Sequence, residues 1–138
     1  MLAAKIDKSK SDKTKNKFQT ALEYLAEYHG VTEAVIFDSE GLVVGYLNRD
    51  GLDAEVLSPL ALLMLDQVST VLGRLKESPA QSMVLKNKNC WITIERVGGL
   101  VLIVKAGNKT DELLKVRIGQ AVDMIKTYLN ENYPQLTR

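Results

Sequence analysis

The sequence predicts an α+β domain built in layers, in which helices cover a five-stranded antiparallel sheet in the order α-ββ-α-βββ-α. Three observations predict it. Three stretches repeat apolar residues at helical spacing. Five short runs rich in β-branched and aromatic residues lie between them. The links between neighbouring strands are of hairpin length, which forces antiparallel pairing.

The first helix is predicted over residues 13–28, where Phe18, Ala21, Leu22, Leu25 and Tyr28 share one face. Gly30 suits a left-handed terminating residue, and His29 sits at the negative end of the helix dipole. Strands follow at 33–38 and 42–47, joined by the turn residues Ser39-Glu40-Gly41. Residues 48–51 form a second loop. Asp53 is a good N-cap for the middle helix, but Pro59 belongs in a first turn, so a loose turn at 54–57 and a regular helix over 59–75 are expected. Ser78-Pro79 stops that helix.

Strands at 81–86, 90–97 and 100–105 come next. Cys90, Ile92 and Ile94 alternate with Trp91, Thr93 and Glu95. Gly98-Gly99 marks a tight hairpin, and the almost wholly apolar 100–105 reads as a central strand covered on both faces. The last helix starts near Thr110 as N-cap, with Asp111 and Glu112 at its positive end. Leu114, Ile118, Ala121, Ile125, Tyr128 and Leu129 make its buried stripe, and Pro134 ends it.

The middle helix is apolar on too many sides. At 100° per residue, Leu57, Leu60, Ala61, Met64, Leu65, Val68, Val71, Leu72 and Leu75 form a stripe about 140° wide that can cover a sheet. Leu62 and Leu63 fall outside it, and the small residues Ser69 and Gly73 lie on the flank of Leu62. A chain of 138 residues makes one domain and has nothing left to bury that second surface. A second copy or a partner protein is the expected cover.

Composition bounds the rest. Residues 1–17 hold six lysines and two aspartates, a net +4, so the remainder carries −3 against a whole-chain charge of +1. Residues 1–16 are expected to be a basic, flexible tail, and 17–138 the folded domain. The near-neutral whole and the scarcity of strand aromatics argue against nucleic acid. Trp91 fits a half-buried place under a helix edge. A single cysteine excludes an internal disulfide. No apolar stretch approaches the ~18 residues of a membrane span, so no span is expected; no signal peptide opens the chain, so cytoplasmic residence is expected.

Chemistry finds little purchase. One histidine and one cysteine exist, His29 at a helix end and Cys90 in a strand, where it packs as a small hydrophobe. No spacing of His, Cys and carboxylates suits a metal, so neither metal, cofactor nor catalytic group is expected. Tyr24 and Tyr28 suit core or rim positions. Asn108-Lys109-Thr110-Asp111 and Asp38-Ser39-Glu40-Gly41 match, in order, two elements of Ras-like GTPases. The nucleotide reading fails because no phosphate loop of the form Gly-x-x-x-x-Gly-Lys-Ser/Thr exists, and strands do not alternate with helices. No clear catalytic arginine appears among Arg49, Arg74, Arg96, Arg117 and Arg138, and Arg49, on a loop, alone looks free to move.

Four features belong together: His29-Gly30-Val31; Glu33-Ala34-Val35-Ile36-Phe37-Asp38-Ser39-Glu40-Gly41-Leu42-Val43-Val44; the Leu/Ala-rich helix after Leu52-Asp53-Ala54-Glu55; and three strands before a closing helix. In them the chain resembles the roadblock (dynein light chain) domain family across residues 17–133. The basic tail and Ser58-Pro59 depart from the pattern. The resemblance implies a layered α/β/α module that homo- or heterodimerises, with paired sheets continuous and two middle helices side by side. It also implies a partner: prokaryotic members often act with a Ras-like GTPase, and eukaryotic ones serve dynein or dock GTPases.

A non-catalytic homodimeric scaffold that binds a small Ras-like GTPase is therefore the leading expectation. Its dimer seam is expected at Leu62, Asp66, Ser69 and Gly73, where small residues allow close approach. Its partner-facing side is expected at Leu63, Gln67, Thr70 and Arg74. The alternative is a dynein-light-chain-like adaptor that grips a peptide of a motor or cargo at a sheet edge. A small-molecule sensor ranks third, and no residue asks for it.

Overall fold

The computed structural model describes residues 17–49, 51 and 54–136. Helix α1 (Lys17–Ala26) leads into strands β1 (Val31–Asp38) and β2 (Val43–Asn48). Helix α2 (Ala54–Arg74) precedes β3 (Ser82–Lys86), β4 (Cys90–Val97) and β5 (Leu100–Gly107). Helix α3 (Glu112–Asn132) follows, with a 3-10 turn at Pro134–Leu136. The order is the α-ββ-α-βββ-α read from the sequence. The basic tail, residues 1–16, and the expected cap Asp53 lie outside the described residues.

All strand pairs are antiparallel, in the order β2-β1-β5-β4-β3. The hairpin β1–β2 and the meander β3–β4–β5 join where Val35 pairs with Ile103. The central strands β1 and β5 are buried on both faces, which explains their lack of alternation. On one side of the sheet, α1 and α3 cover Ala34, Ile36, Leu102 and Val104 with Phe18, Leu22, Ile118 and Ile125. On the other, α2 covers Val35, Phe37, Ile94, Val101 and Ile103 with Ala61 and Leu65.

Several local expectations are corrected. Helix α1 ends at Ala26, and the chain then tightens through Glu27 N–H to Tyr24 O and Tyr28 N–H to Leu25 O. His29 thus lies beyond the last helical turn. Gly30 is not left-handed; a Cβ there would meet the Tyr28 ring at 2.8 Å, so packing rather than a turn demands glycine. In the β1–β2 turn, Asp38 Oδ1 accepts N–H groups from Glu40 and Leu42, and Gly41 takes φ +85°. The N-cap of α3 is Asp111, whose Oδ1 accepts Leu113 N–H, while the Thr110 hydroxyl is buried without a partner among the described residues.

Residues 54–57 are helical rather than a loose turn. Pro59 sits in the second turn of α2, where it has no N–H to give to the carbonyl of Glu55, a solvent-exposed residue. At the other end Glu77 N–H reaches Leu72 O and Lys76 N–H reaches Gly73 O, with Lys76 at φ +63°. This is a Schellman closure with a lysine in the place glycine usually takes. Helix α2 is also long and apolar enough, by length and composition alone, to cross a membrane, contrary to the sequence expectation. Interspersed Ser58, Asp66, Gln67, Ser69 and Thr70 break the run without much lowering its average. The helix lies against the sheet through Ser58, Ala61 and Leu65.

Candidate protein-protein interface

The sheet touches a narrower line of α2 than the sequence implies. Only Ser58, Ala61 and Leu65 are buried, at the i, i+3, i+7 spacing of one line. Small side chains at 58 and 61 let the helix approach closely. Leu57, Met64, Val68 and Leu72 are half-buried beside them. Leu60, Val71 and Leu75, expected to cover the sheet, are 51%, 57% and 65% exposed. Leu63 is 53% exposed, and Val56 joins the same uncovered side.

Hydrogen bonds fix which way each flank faces. Ser58 Oγ donates to Gly41 O at 2.8 Å, and the Leu62 side chain lies against Gly41. Further along, Ser69 Oγ accepts Ala80 N–H at 3.3 Å. Gly41 is in the β1–β2 turn, and Ala80 leads into β3 beside Arg96, whose Nε donates to Ala80 O. Both points lie at the end of the sheet where β4 turns into β5. The flank of Leu62 and Ser69 is thus fastened toward the turns. The opposite flank, with Leu60, Met64, Gln67 and Val71, faces the other half of the sheet.

That half has its own exposed apolar surface. Leu85 on β3 pairs with Ile92 on the same face and is 39% exposed. Next to Ile92 lies Lys105, whose Nζ is 3.5 Å from a carboxylate oxygen of Glu33, a residue only 2% exposed. Strand β3 is one of the sheet's two edge strands, and Ser82, Val84, Leu85 and Lys86 are exposed along it.

The residues singled out in the sequence take these places. Of the expected seam, Leu62 is half-buried on the α2-side core and Ser69 is half-buried. Asp66 is exposed, and Gly73 has open space around it. Of the expected partner-facing set, Leu63, Gln67, Thr70 and Arg74 are all exposed, with the Thr70 hydroxyl turned back to Asp66 O. Sequence reasoning passed over Leu60, Val71 and Leu85 as surface residues. The signal that could have found them is the pair Ser58 and Ala61, which marks the sheet-contact line and so leaves 60 and 71 to its side.

The GTPase-like tetrapeptides have structural duties. Asp38 organises the β1–β2 turn, Asp111 caps α3, and Asn108 Nδ2 donates to Lys88 O. Arg49 is not free: its guanidinium donates to Val31 O and Ala26 O. Arg96 and Arg117 are likewise bonded to main-chain carbonyls, which leaves Arg74 as the unbonded one among the described arginines. Cys90 is half-buried rather than enclosed, and it lines a recess with Thr32, Asn87, Asn89, Lys105 and Ala106. Among the described residues, no three His, Cys, Asp or Glu side chains gather as a metal site would need.

A family model described as the Roadblock/LC7 domain matches residues 17–106, which runs from the start of α1 to the penultimate residue of β5. The chain belongs to the Roadblock/LC7 family. Among solved structures, Myxococcus xanthus MglB superposes with a TM-score of 0.77 at 16% identity, over 86% of this chain and 98% of that one. A Roadblock/LC7 domain from Streptomyces avermitilis gives 0.72 at 21% identity, over 80% and 96%. An MglB described as having a tetrameric arrangement gives 0.64 at 15% identity, over 77% and 85%. At these identities the likeness is one of fold. No curated protein sequence matches the chain.

Proposed function

We propose that this protein is a non-catalytic, cytoplasmic, homodimeric scaffold that binds a small Ras-like GTPase. The observation that carries the reading is the apolar side of α2, exposed at Leu60, Leu63 and Val71 beside a half-open sheet. Leaving such a contiguous surface in water is costly, and self-association removes the cost. Family membership supports pairing, and the tetrameric arrangement described for one structural relative is in keeping with it. The GTPase partner follows from the roadblock resemblance.

Within α2 the burial pattern favours a seam on the flank of Leu60, Met64, Gln67 and Val71, continuing to Leu85 of β3. The flank first expected, Leu62, Asp66, Ser69 and Gly73, is partly engaged with the turns of its own subunit. Leu63, Thr70 and Arg74 remain on the outer crest and are assigned to the GTPase.

Sedimentation of Leu60→Glu/Val71→Glu against Leu62→Glu tests the seam, with circular dichroism as the folding control. A folded monomer in the first and a dimer in the second supports this assignment; the reverse returns the seam to Leu62. A wild type that stays monomeric at high concentration removes the proposal. For the partner, capture of a Ras-like GTPase from the same genome, dependent on its bound nucleotide, is the expected result. The open outer edge of β3 favours one other reading, the peptide-gripping adaptor. Capture of an extended peptide in place of a GTPase would establish that one.

A further inference from the structure

Across the sheet from α2, the seam between α1 and α3 carries a groove of about 440 Å³. Lys17 stands on the α1 wall, and Asp123 and Glu131 stand on the α3 wall. Half-buried Met124 and Tyr128 line it between the two carboxylates. Both carboxylates are exposed, and neither has an ion pair among the described residues. Helix α3 has no basic residue in its last turn, so its negative end, beside Glu131, is unopposed as well. Lys17 offsets one of the two charges and leaves the groove acidic. That lysine is also where the described chain begins, and it closes a basic run. Residues 1–16 hold five lysines against two aspartates, a net +3 in a chain whose remainder carries −2.

We propose that residues 1–16 dock in this groove of their own subunit, with lysine ammonium groups on Asp123 and Glu131 and lysine stems over Met124 and Tyr128. Position argues for this occupant first. Lys17 already lines the groove, so Lys13 and Lys15 are delivered to its rim with no linker to span. The carboxylates are about 12 Å apart along the helix axis, a distance that about four extended residues cover. Charge argues second, because a net positive segment meets a net negative wall. Exposed ion pairs are weak singly, but a tethered segment meets them at millimolar effective concentration, which a free peptide does not. The half-buried floor suits the alkyl stems, whose heads stay at the wet rim. Docked, the segment straps α1 to α3 and withholds its lysines from other anionic surfaces. This site is independent of the pairing through α2.

The test attaches a nitroxide to the full chain at Ser9→Cys, with Cys90→Ser removing the other thiol, and reads the broadening of amide signals by NMR. Docking is expected to broaden Met124 and Thr127, midway along the groove. A segment merely attached at Lys17 would instead broaden the neighbourhood of Lys17 and Tyr133, which meet through Phe18. Asp123→Lys/Glu131→Lys is expected to lose the broadening at Met124 and Thr127, with the fold intact by circular dichroism. High salt is expected to do the same to the unreversed chain. No broadening at Met124 and Thr127, or broadening that survives both the charge reversal and salt, overturns the proposal. The last measurement mixes spin-labelled chains with separate isotope-labelled ones. Equal broadening of Thr127 in that mixture would give the groove to the segment of another copy, and docking within the subunit fails.

Discussion

Helices α2 and α3 are both 21 residues long and lie on opposite sides of one sheet. Helix α3 buries Leu114, Ile118, Ala121, Ile125 and Leu129 and turns a mostly polar face to water, interrupted by Leu113 and Val116 in its first turns. Helix α2 is the more apolar of the two, yet buries only Ser58, Ala61 and Leu65. Among the described residues, the α1/α3 side holds a core of seventeen buried residues and the α2 side one of seven. A helix with more apolar surface and less burial is shaped for two coverings, of which the sheet supplies one. The polypeptide closes one interior by itself; under the proposed pairing, a second copy closes the other.

The comparison can be broken first where the effect is largest. On the closed side, Ile125→Ala and Leu22→Ala are each expected to cost about 2–5 kcal/mol in urea unfolding, whatever the protein concentration. Leu60→Ala on the open side is expected to change little in dilute protein. Its wild-type counterpart should gain melting temperature with concentration, and the variant should lose that gain. Equal losses at Ile125 and Leu60 in dilute protein would show that α2 is covered within one subunit. Next, Ser58→Ala removes the donor that satisfies Gly41 O and is expected to cost about 1–3 kcal/mol, with faster amide exchange in residues 54–62 than in α3.

The remaining predictions are smaller. Burial raises the folded-state pKa of Glu95, so the folded chain holds the proton more tightly than the unfolded one. Its contribution is fully favourable below the ordinary 4.5 and is lost as pH rises through the raised folded value. Glu95→Gln is thus expected to melt higher than wild type at neutral pH, with the gap closing below pH 4.5; a constant gap would mean that desolvation is not its cause. Lys76→Gly relieves the left-handed strain at the end of α2 and is expected to stabilise by about 1 kcal/mol in thermal unfolding.

Much of this was legible in the residues. The stripe of α3 was read from spacing alone, because water covers its other side and one apolar direction has one meaning. The stripe of α2 was misjudged because the sheet-facing line and the exposed apolar side merge into a single broad arc on a helical wheel. Leu60 and Val71 are indistinguishable from Leu65 by hydropathy; only the size of Ser58 and Ala61 betrays where the sheet comes close. The cap of α3 fell to Asp111 over Thr110 by one residue, a choice made by the buried packing of Thr110 against Gly30. The constraint on Arg49 was invisible because its carbonyl partners, Val31 O and Ala26 O, become neighbours only after the chain folds. The same holds for Glu95, whose burial depends on where α3 lands.

Both fastenings of α2, Ser58 to Gly41 and Ser69 to Ala80, lie along one long side and within one subunit. Parting two copies along the other side would therefore leave each helix seated on its own strands. Under the proposed pairing, such subunits would trade mates as finished bodies, without melting and refolding.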